Sequence, residues 1–337
     1  MANELQQLKE KYVKSSYDEN VSNKEFAGIQ KLVFKKAIHS IKINPDNPPA
    51  DADLLVGWIG LEDGDRFKIP PQNVLAHLER AWKNGSSEAG ILLYRAHNKM
   101  YQYIPNNMRS LSRGILILEK MIRERNDQYA LFELVEHYLR LIESYFSEEG
   151  SEDPPEDHYH KAYQYASLAF EQGYPGGYLH MGIFTYYGFI GLVPKDISLA
   201  YKYFFLGLKK CNENPRERDV YTVLKYWVGY CQVHGLGVSM DRESGLKIIH
   251  ESATMGNIEA KNWLEENREF VDSIESSKLK ESEYYMNDPD IINTHEFDTL
   301  SEYKEPKEIL GKLKSSKLGR DPMSFFLTNS EDEPVKH

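Results

Sequence analysis

The chain has 337 residues, is 41% hydrophobic and 28% charged, and carries a formal net charge of −11. It can bury a core, but its acidic balance argues against a general nucleic-acid binder, which would show a basic stripe. No apolar run approaches the eighteen or so residues of a membrane span, and Met1 to Lys11 lacks the apolar core of a secretory signal.

Only Cys211 and Cys231 are present, too few for a disulfide framework, so reduced thiols and a cytoplasmic location are expected. The 23 Tyr outnumber the 14 Phe and 4 Trp. Tyrosine keeps a helix face apolar while leaving a hydroxyl at the wet edge, which suits an extended fold with few wholly buried side chains.

In chain order, residues 1–22 read as a charged, weakly amphipathic lead-in. A helix is expected from Lys24 to about His39, with Phe26, Ile29, Leu32, Val33 and Ala37 at helical spacing. After Pro45, Pro48 and Pro49, a second helix follows over Ala50 to Leu61. Residues 1–70 are therefore an N-terminal helical lead-in or a degenerate cap repeat.

From Pro71 onward one pattern recurs, and self-similarity at a few tens of residues marks a solenoid. Its five key positions are Val74, His77, Ala81, Trp82 and Gly85 in the first copy. They are Ile115, Leu118, Ile122, Arg123 and Asn126 in the second, and Ala162, Tyr165, Ala169, Phe170 and Gly173 in the third. Ala200, Tyr203, Gly207, Leu208 and Cys211 make the fourth, and Gly245, Ile248, Ser252, Ala253 and Gly256 the fifth. Arg123 in a small-residue slot and Cys211 in a Gly slot depart from the pattern. A second helix follows each end marker, opening on a small residue such as Ala89, Ala130, Gly177 or Ala260. Asn212 to Val220 reads as an exposed polar insertion. Glu143 to Asp157 holds seven acidic residues and no Lys or Arg, and reads as an acidic loop or a dock for a basic partner. Residues 71–270 form the array. Residues 271–337 are expected to be a C-terminal cap and a flexible tail, with one helix over Lys307 to Lys314 and a basic run from Lys304 to Arg320.

Two stretches extend the signature. Gly229-x5-Gly235-Leu-Gly237-Val238-Ser-Met-Asp241 leads into Gly245, and Gly182-x5-Gly188-Phe-Ile-Gly191-Leu-Val-Pro-Lys-Asp196 leads into Ala200. With Ala162, Gly173, Gly177, Gly256 and Ala260, these positions are structural, and the two aspartates are expected N-caps. Across 158–266 the chain resembles the Sel1-like repeat family, whose members are tetratricopeptide-like α/α solenoids. The fold class implied is all-α, a right-handed superhelical α/α solenoid of about five to six helix-turn-helix repeats. Such arrays are generally adaptors, so the resemblance implies a non-catalytic scaffold that binds a protein or peptide in its groove. Some relatives neutralise toxins or assist secretion in bacteria, which an acidic chain facing a basic effector would suit. By repeat position the groove candidates are Gln164, Lys202, Lys247 and His250.

Catalytic and metal chemistry have little to stand on. Gly235-Leu-Gly237 lies between helices with no preceding strand, so a turn explains it better than a phosphate cradle. His158 and His160 are two apart, a spacing that points to different sides of a helix, and no third ligand is near. No nucleophile-elbow context is present. No cofactor or metal is expected, and a groove-based enzyme or small-ligand receptor stands as the rival. The Tyr series 159, 163, 165, 178, 186, 187, 201 and 203 is spaced for packing between helices, with some members expected at a rim as partner anchors.

Overall fold

The computed structural model describes residues 2–17, 21–146, 154–189, 191–211 and 217–274. Its helices are α1 Ala2–Tyr17, α2 Asn23–Ile43, α3 Ala50–Phe67, α4 Pro71–Lys83, α5 Ser87–His97, α6 Leu111–Arg125 and α7 Gln128–Phe146. They continue as α8 Glu156–Glu171, α9 Pro175–Tyr187, α10 Ile197–Lys210, α11 Arg218–His234, α12 Arg242–Thr254 and α13 Ile258–Glu266. Residues 268–274 are also helical. Among the described residues no strand forms beyond one isolated bridge, Phe189 to Val193. The fold is all-α, of the α/α solenoid class, with first and second helices alternating from α2/α3 to α12/α13. Two compact units are present, and the division falls within α7 after His137.

In the first unit, α1 packs on α2 and α3. Tyr12 is fully buried, stacked on Phe26 at 5.6 Å and edge-on to Trp58 at 5.5 Å, and its hydroxyl donates to Glu62. Lys9 Nζ lies 2.7 Å from Asp51 and 3.2 Å from Glu88. The expected lead-in is thus a helix with its own place in the core. Glycines hold α3 against α4: a Cβ on Gly57 would meet the Leu78 side chain at 2.6 Å, and one on Gly60 would meet Val74 at 2.6 Å. Beside them the buried Asp53 accepts two hydrogen bonds of 2.6 Å from Arg80 and faces His77 Nδ1 at 2.7 Å. Burial alone would raise this carboxyl, but the bonds from Arg80 and His77 hold it below the usual carboxylate range.

In the second unit the backbones themselves meet. A Cβ on Gly177 of α9 would lie 2.2 Å from the Phe170 nitrogen of α8. At the crossing of α11 and α12, a Cβ on Gly229 would meet the Gly245 carbonyl at 2.7 Å, and one on Gly245 would meet the Gly229 carbonyl at 2.6 Å. Gly182 leaves room for the Phe204 ring of α10, which is fully buried.

Three first helices end alike. The N–H after the terminal glycine donates back five residues: Ser86 to Ala81 at 3.0 Å, Tyr174 to Ala169 at 3.0 Å, and Asn257 to Ser252 at 3.2 Å. This closure needs a left-handed residue, supplied by Gly85, Gly173 and Gly256 with φ of 100°, 77° and 101°. Asn126 is also left-handed, at φ 52°, but there its own N–H donates to the Ile122 carbonyl at 2.9 Å. Cys211 has φ −63° because α10 ends in extended chain, so no glycine is required there.

The second copy sits one residue earlier than its periodicity suggests. Gly114, four residues after the N-cap Ser110, stands where Ala200 and Gly245 stand after Asp196 and Asp241, while Arg123 is exposed. The acidic loop is shorter than expected, since α7 runs to Phe146 and α8 starts at Glu156, and residues 147–153 lie outside the described residues. The polar insertion likewise yields to α11 from Arg218, with 212–216 outside the described residues, as are 275–337.

The crossings give a contrast. Gly229→Ala forces a side chain into a carbonyl and is expected to cost about 1–3 kcal/mol, as overpacking does. Gly28→Ala, in open space on α2, is expected to stabilise by about 0.5–1 kcal/mol. Urea unfolding of both variants reads the difference. Equal stabilities would mean that the α11–α12 crossing tolerates a side chain.

Candidate functional site

The third to fifth copies build a surface that grows out of these crossings. Tight packing on the inner side of α11 is carried by Leu224, Val228, Gly229 and Cys231, all buried. Its other side carries Tyr226, Tyr230 and His234, four residues apart, with Trp227 beside them. Rings from neighbouring helices join them. Trp227 stacks on Phe204 at 5.0 Å and lies 5.2 Å from Tyr186 and 6.1 Å from Tyr187 of α9. Tyr230 stands 6.0 Å from Trp227, 4.6 Å from His234 and 6.3 Å from Trp263 of α13. Trp263 and His234 then meet Phe270 at 6.4 and 6.2 Å. The result is an aromatic strip along three successive second helices. Most of its rings are half-buried, and Tyr187 is 62% exposed.

Tyr186, Tyr226 and His234 of this strip are all shifted toward their uncharged forms. Burial, reinforced by Tyr230 and its neighbours, pushes the Tyr186 phenol up to about 12. Burial pushes Tyr226 up to about 12 as well, helped by Tyr230, Tyr187 and the charges of Glu259 and Glu266. Desolvation and then the Arg242 cation push the His234 imidazole down. The margin is acidic at one end: residues 258–274 hold Glu259, Glu265, Glu266, Glu269 and Asp272 against Lys261 and Arg268. Arg242 covers Phe270 at 5.6 Å.

The Tyr series divides accordingly. Tyr159, Tyr165, Tyr178, Tyr201 and Tyr203 are buried, Tyr163 and Tyr186 half-buried, and Tyr187 exposed. Tyr226, Trp227 and Tyr230, which sequence reasoning passed over, carry the centre of the strip. The four-residue spacing of Tyr226, Tyr230 and His234 on α11 was the available signal. The first-helix candidates lie elsewhere in the same unit. Gln164 is half-buried on α8, Lys202 exposed on α10, Lys247 exposed and His250 half-buried on α12. Gln164, Lys202 and Lys247 share one repeat position, two residues after Ala162, Ala200 and Gly245.

The remaining positions are structural. Asp196 accepts from the Leu199 N–H at 2.9 Å and Asp241 from the Ser244 N–H at 3.0 Å. Their own N–H groups donate to the Thr185 and Gln232 carbonyls at 2.8 and 2.9 Å, so both loops close in the same way despite two extra residues in the first. Gly188 and Gly235 end α9 and α11 at positive φ. A Cβ on Gly237 would lie 2.5 Å from the Ile197 carbonyl, so this turn leans on the start of α10. Ala260 is buried, its N–H donating to Asn257 at 2.7 Å. His158 faces the Tyr138 and Tyr145 rings, while the exposed His160 meets Glu156 at 3.3 Å. Among the described residues no group of three or more His, Cys, Asp or Glu is placed to hold a metal. None of their helices is long and apolar enough to cross a membrane.

Comparison with known proteins adds the following. No family model matches the chain, and no curated protein is similar to it. Among solved structures it is similar to a Sel1 repeat protein from Oxalobacter formigenes, at 20% identity over 71% of this chain and 88% of that one, with a TM-score of 0.49. It is also similar to c5321, a protective antigen present in uropathogenic Escherichia coli strains displaying an SLR fold. There the identity is 17% over 77% of this chain, with a TM-score of 0.49, and the chain spans 49% of that protein's length. These structural neighbours are Sel1-like repeat proteins, the family that the motifs of 158–266 resemble.

Both cysteines are free, and burial pushes each thiol up to about 12. Iodoacetamide near neutral pH is therefore expected to label folded Cys211 and Cys231 on the order of a hundredfold more slowly than the urea-unfolded chain. Rapid labelling of the native protein would show a thiolate that this packing does not permit.

Proposed function

We propose that this chain is a non-catalytic scaffold that binds a protein or peptide along the aromatic strip of its second helices. The observation that carries this reading is the strip itself. Contiguous, half-buried Tyr and Trp side chains offer a large contact area at small entropic cost, the character of protein-binding hot spots. Phenols that stay protonated can donate hydrogen bonds to a partner's backbone carbonyls. The acidic margin beside Trp263 and the net charge of −11 favour a basic partner, which keeps a toxin-neutralising or secretion-associated role within the same reading. Two unpaired thiols suit a reducing, cytoplasmic setting.

Affinity purification of the full chain from its native cell, beside two variants, tests this. One variant is Tyr187→Ser with Tyr230→Ser. The other changes Gln164, Lys202, Lys247 and His250 to Glu. The recovered protein partner should bind the tyrosine variant at least tenfold more weakly, since two such anchors contribute about 2 kcal/mol or more. Because the Tyr230 ring packs against the Trp263 cluster, the tyrosine variant is expected to unfold at a lower temperature, and binding is compared where its thermal unfolding curve shows it fully folded. Loss confined to the four-site variant would move the contact to the first helices. Recovery of a bound small molecule and no protein would overturn the scaffold reading.

A further inference from the structure

The strip lies beside the point where the chain leaves the described fold. Phe270 and Ile274 pack against the cluster of Trp263 and Val271, so the chain exits at one end of the row of rings. From Phe270 to Tyr187 the row takes four ring-to-ring steps of 6.0 to 6.4 Å. Beyond the exit, residues 304–320 carry six cations against two carboxylates. Lys304, Lys307, Lys312, Lys314, Lys317 and Arg320 stand against Glu305 and Glu308, with Ile309, Leu310, Leu313 and Leu318 between them.

We propose that residues 304–320 of this chain dock on its aromatic strip and compete there with the basic partner. The inference rests on the reading of the strip as a docking face. Its chemistry is complementary. Lysines and an arginine find ring faces for cation–π contact and the carboxylates of α13 at the margin, and leucines and an isoleucine cover the exposed ring edges. The same chain already uses this contact, with Arg242 over Phe270 and Lys225 over Tyr221 at 5.4 Å. Reach is sufficient: thirty residues of chain separate Ile274 from Lys304, and their maximum extension of about 100 Å exceeds the length of the row of rings. Because the segment belongs to the same chain, its docking is intramolecular and independent of protein concentration. A partner must then displace the segment, which lowers its apparent affinity and restricts the site to strong binders.

The test places a photo-crosslinking p-benzoylphenylalanine at Tyr187 in the full chain, a change that keeps an aromatic ring in place. Irradiation at low protein concentration should give a monomer-mass product whose crosslinked peptide comes from 304–320. In a chain also carrying Lys312→Glu, Lys314→Glu and Lys317→Glu, the yield should fall severalfold. The proposal is overturned by crosslinks to any other segment, by a dimer-mass product, by no crosslink, or by a yield indifferent to the charge reversal. A chain that captures a partner through the strip but gives no such crosslink loses this inference and keeps its function. A chain that crosslinks but keeps its partner after Tyr187→Ser and Tyr230→Ser does the reverse.

Discussion

Where Gly229 faces Gly245, two helix backbones come so close that each carbonyl occupies the space of the other residue's missing Cβ. That approach is the constraint on which the second unit depends. A helical pair buries one face only and has to obtain the rest of its stability from its neighbours. Close crossings increase the contact each pair can make, because dispersion falls off within an ångström of optimal packing. Gly177 against α8, Gly182 under Phe204 and Gly57 against Leu78 apply the same device at other joints.

Small residues on one side of a helix leave the large ones to the other. On α11 the crossing uses Gly229 and Val233, and beside it Trp227 and Tyr230 meet the rings of α9 and α13. The strip is therefore a product of the packing. Its polarity follows from the same geometry: rings held against each other lose water, which pushes the Tyr186 and Tyr226 phenols up and the His234 imidazole down. A surface of this kind adheres without carrying charge of its own, and the acidic residues of α13 give it a preference among partners.

The sequence revealed the fold where the physics is local. Glycines that end helices, aspartates that cap them, and small residues at crossings each impose a residue type at a fixed offset, so the copies over 158–266 could be aligned by eye. Gly114 was missed in favour of Ile115 because α6 has one more residue between its crossing and its end. The glycines of α3 were missed because they serve α4, the following helix, and no end marker follows them at the usual distance. The strip was only half legible. Tyr186 and Tyr187 stood out by number, but outward positions on second helices carry no obligatory residue type, and Trp227 finds Phe204, Tyr186 and Tyr187 only once three helices are stacked.

The claim that close crossings couple each pair to its neighbours is tested most directly by amide hydrogen exchange on the Gly177→Ala chain, where the new Cβ would sit 2.2 Å from the Phe170 nitrogen. Protection should fall most in α8 and α9, less in α10 and α11, and least in α12 and α13, the graded loss of a nearest-neighbour array. An equal loss throughout the second unit, or none in α8 and α9, would contradict the account.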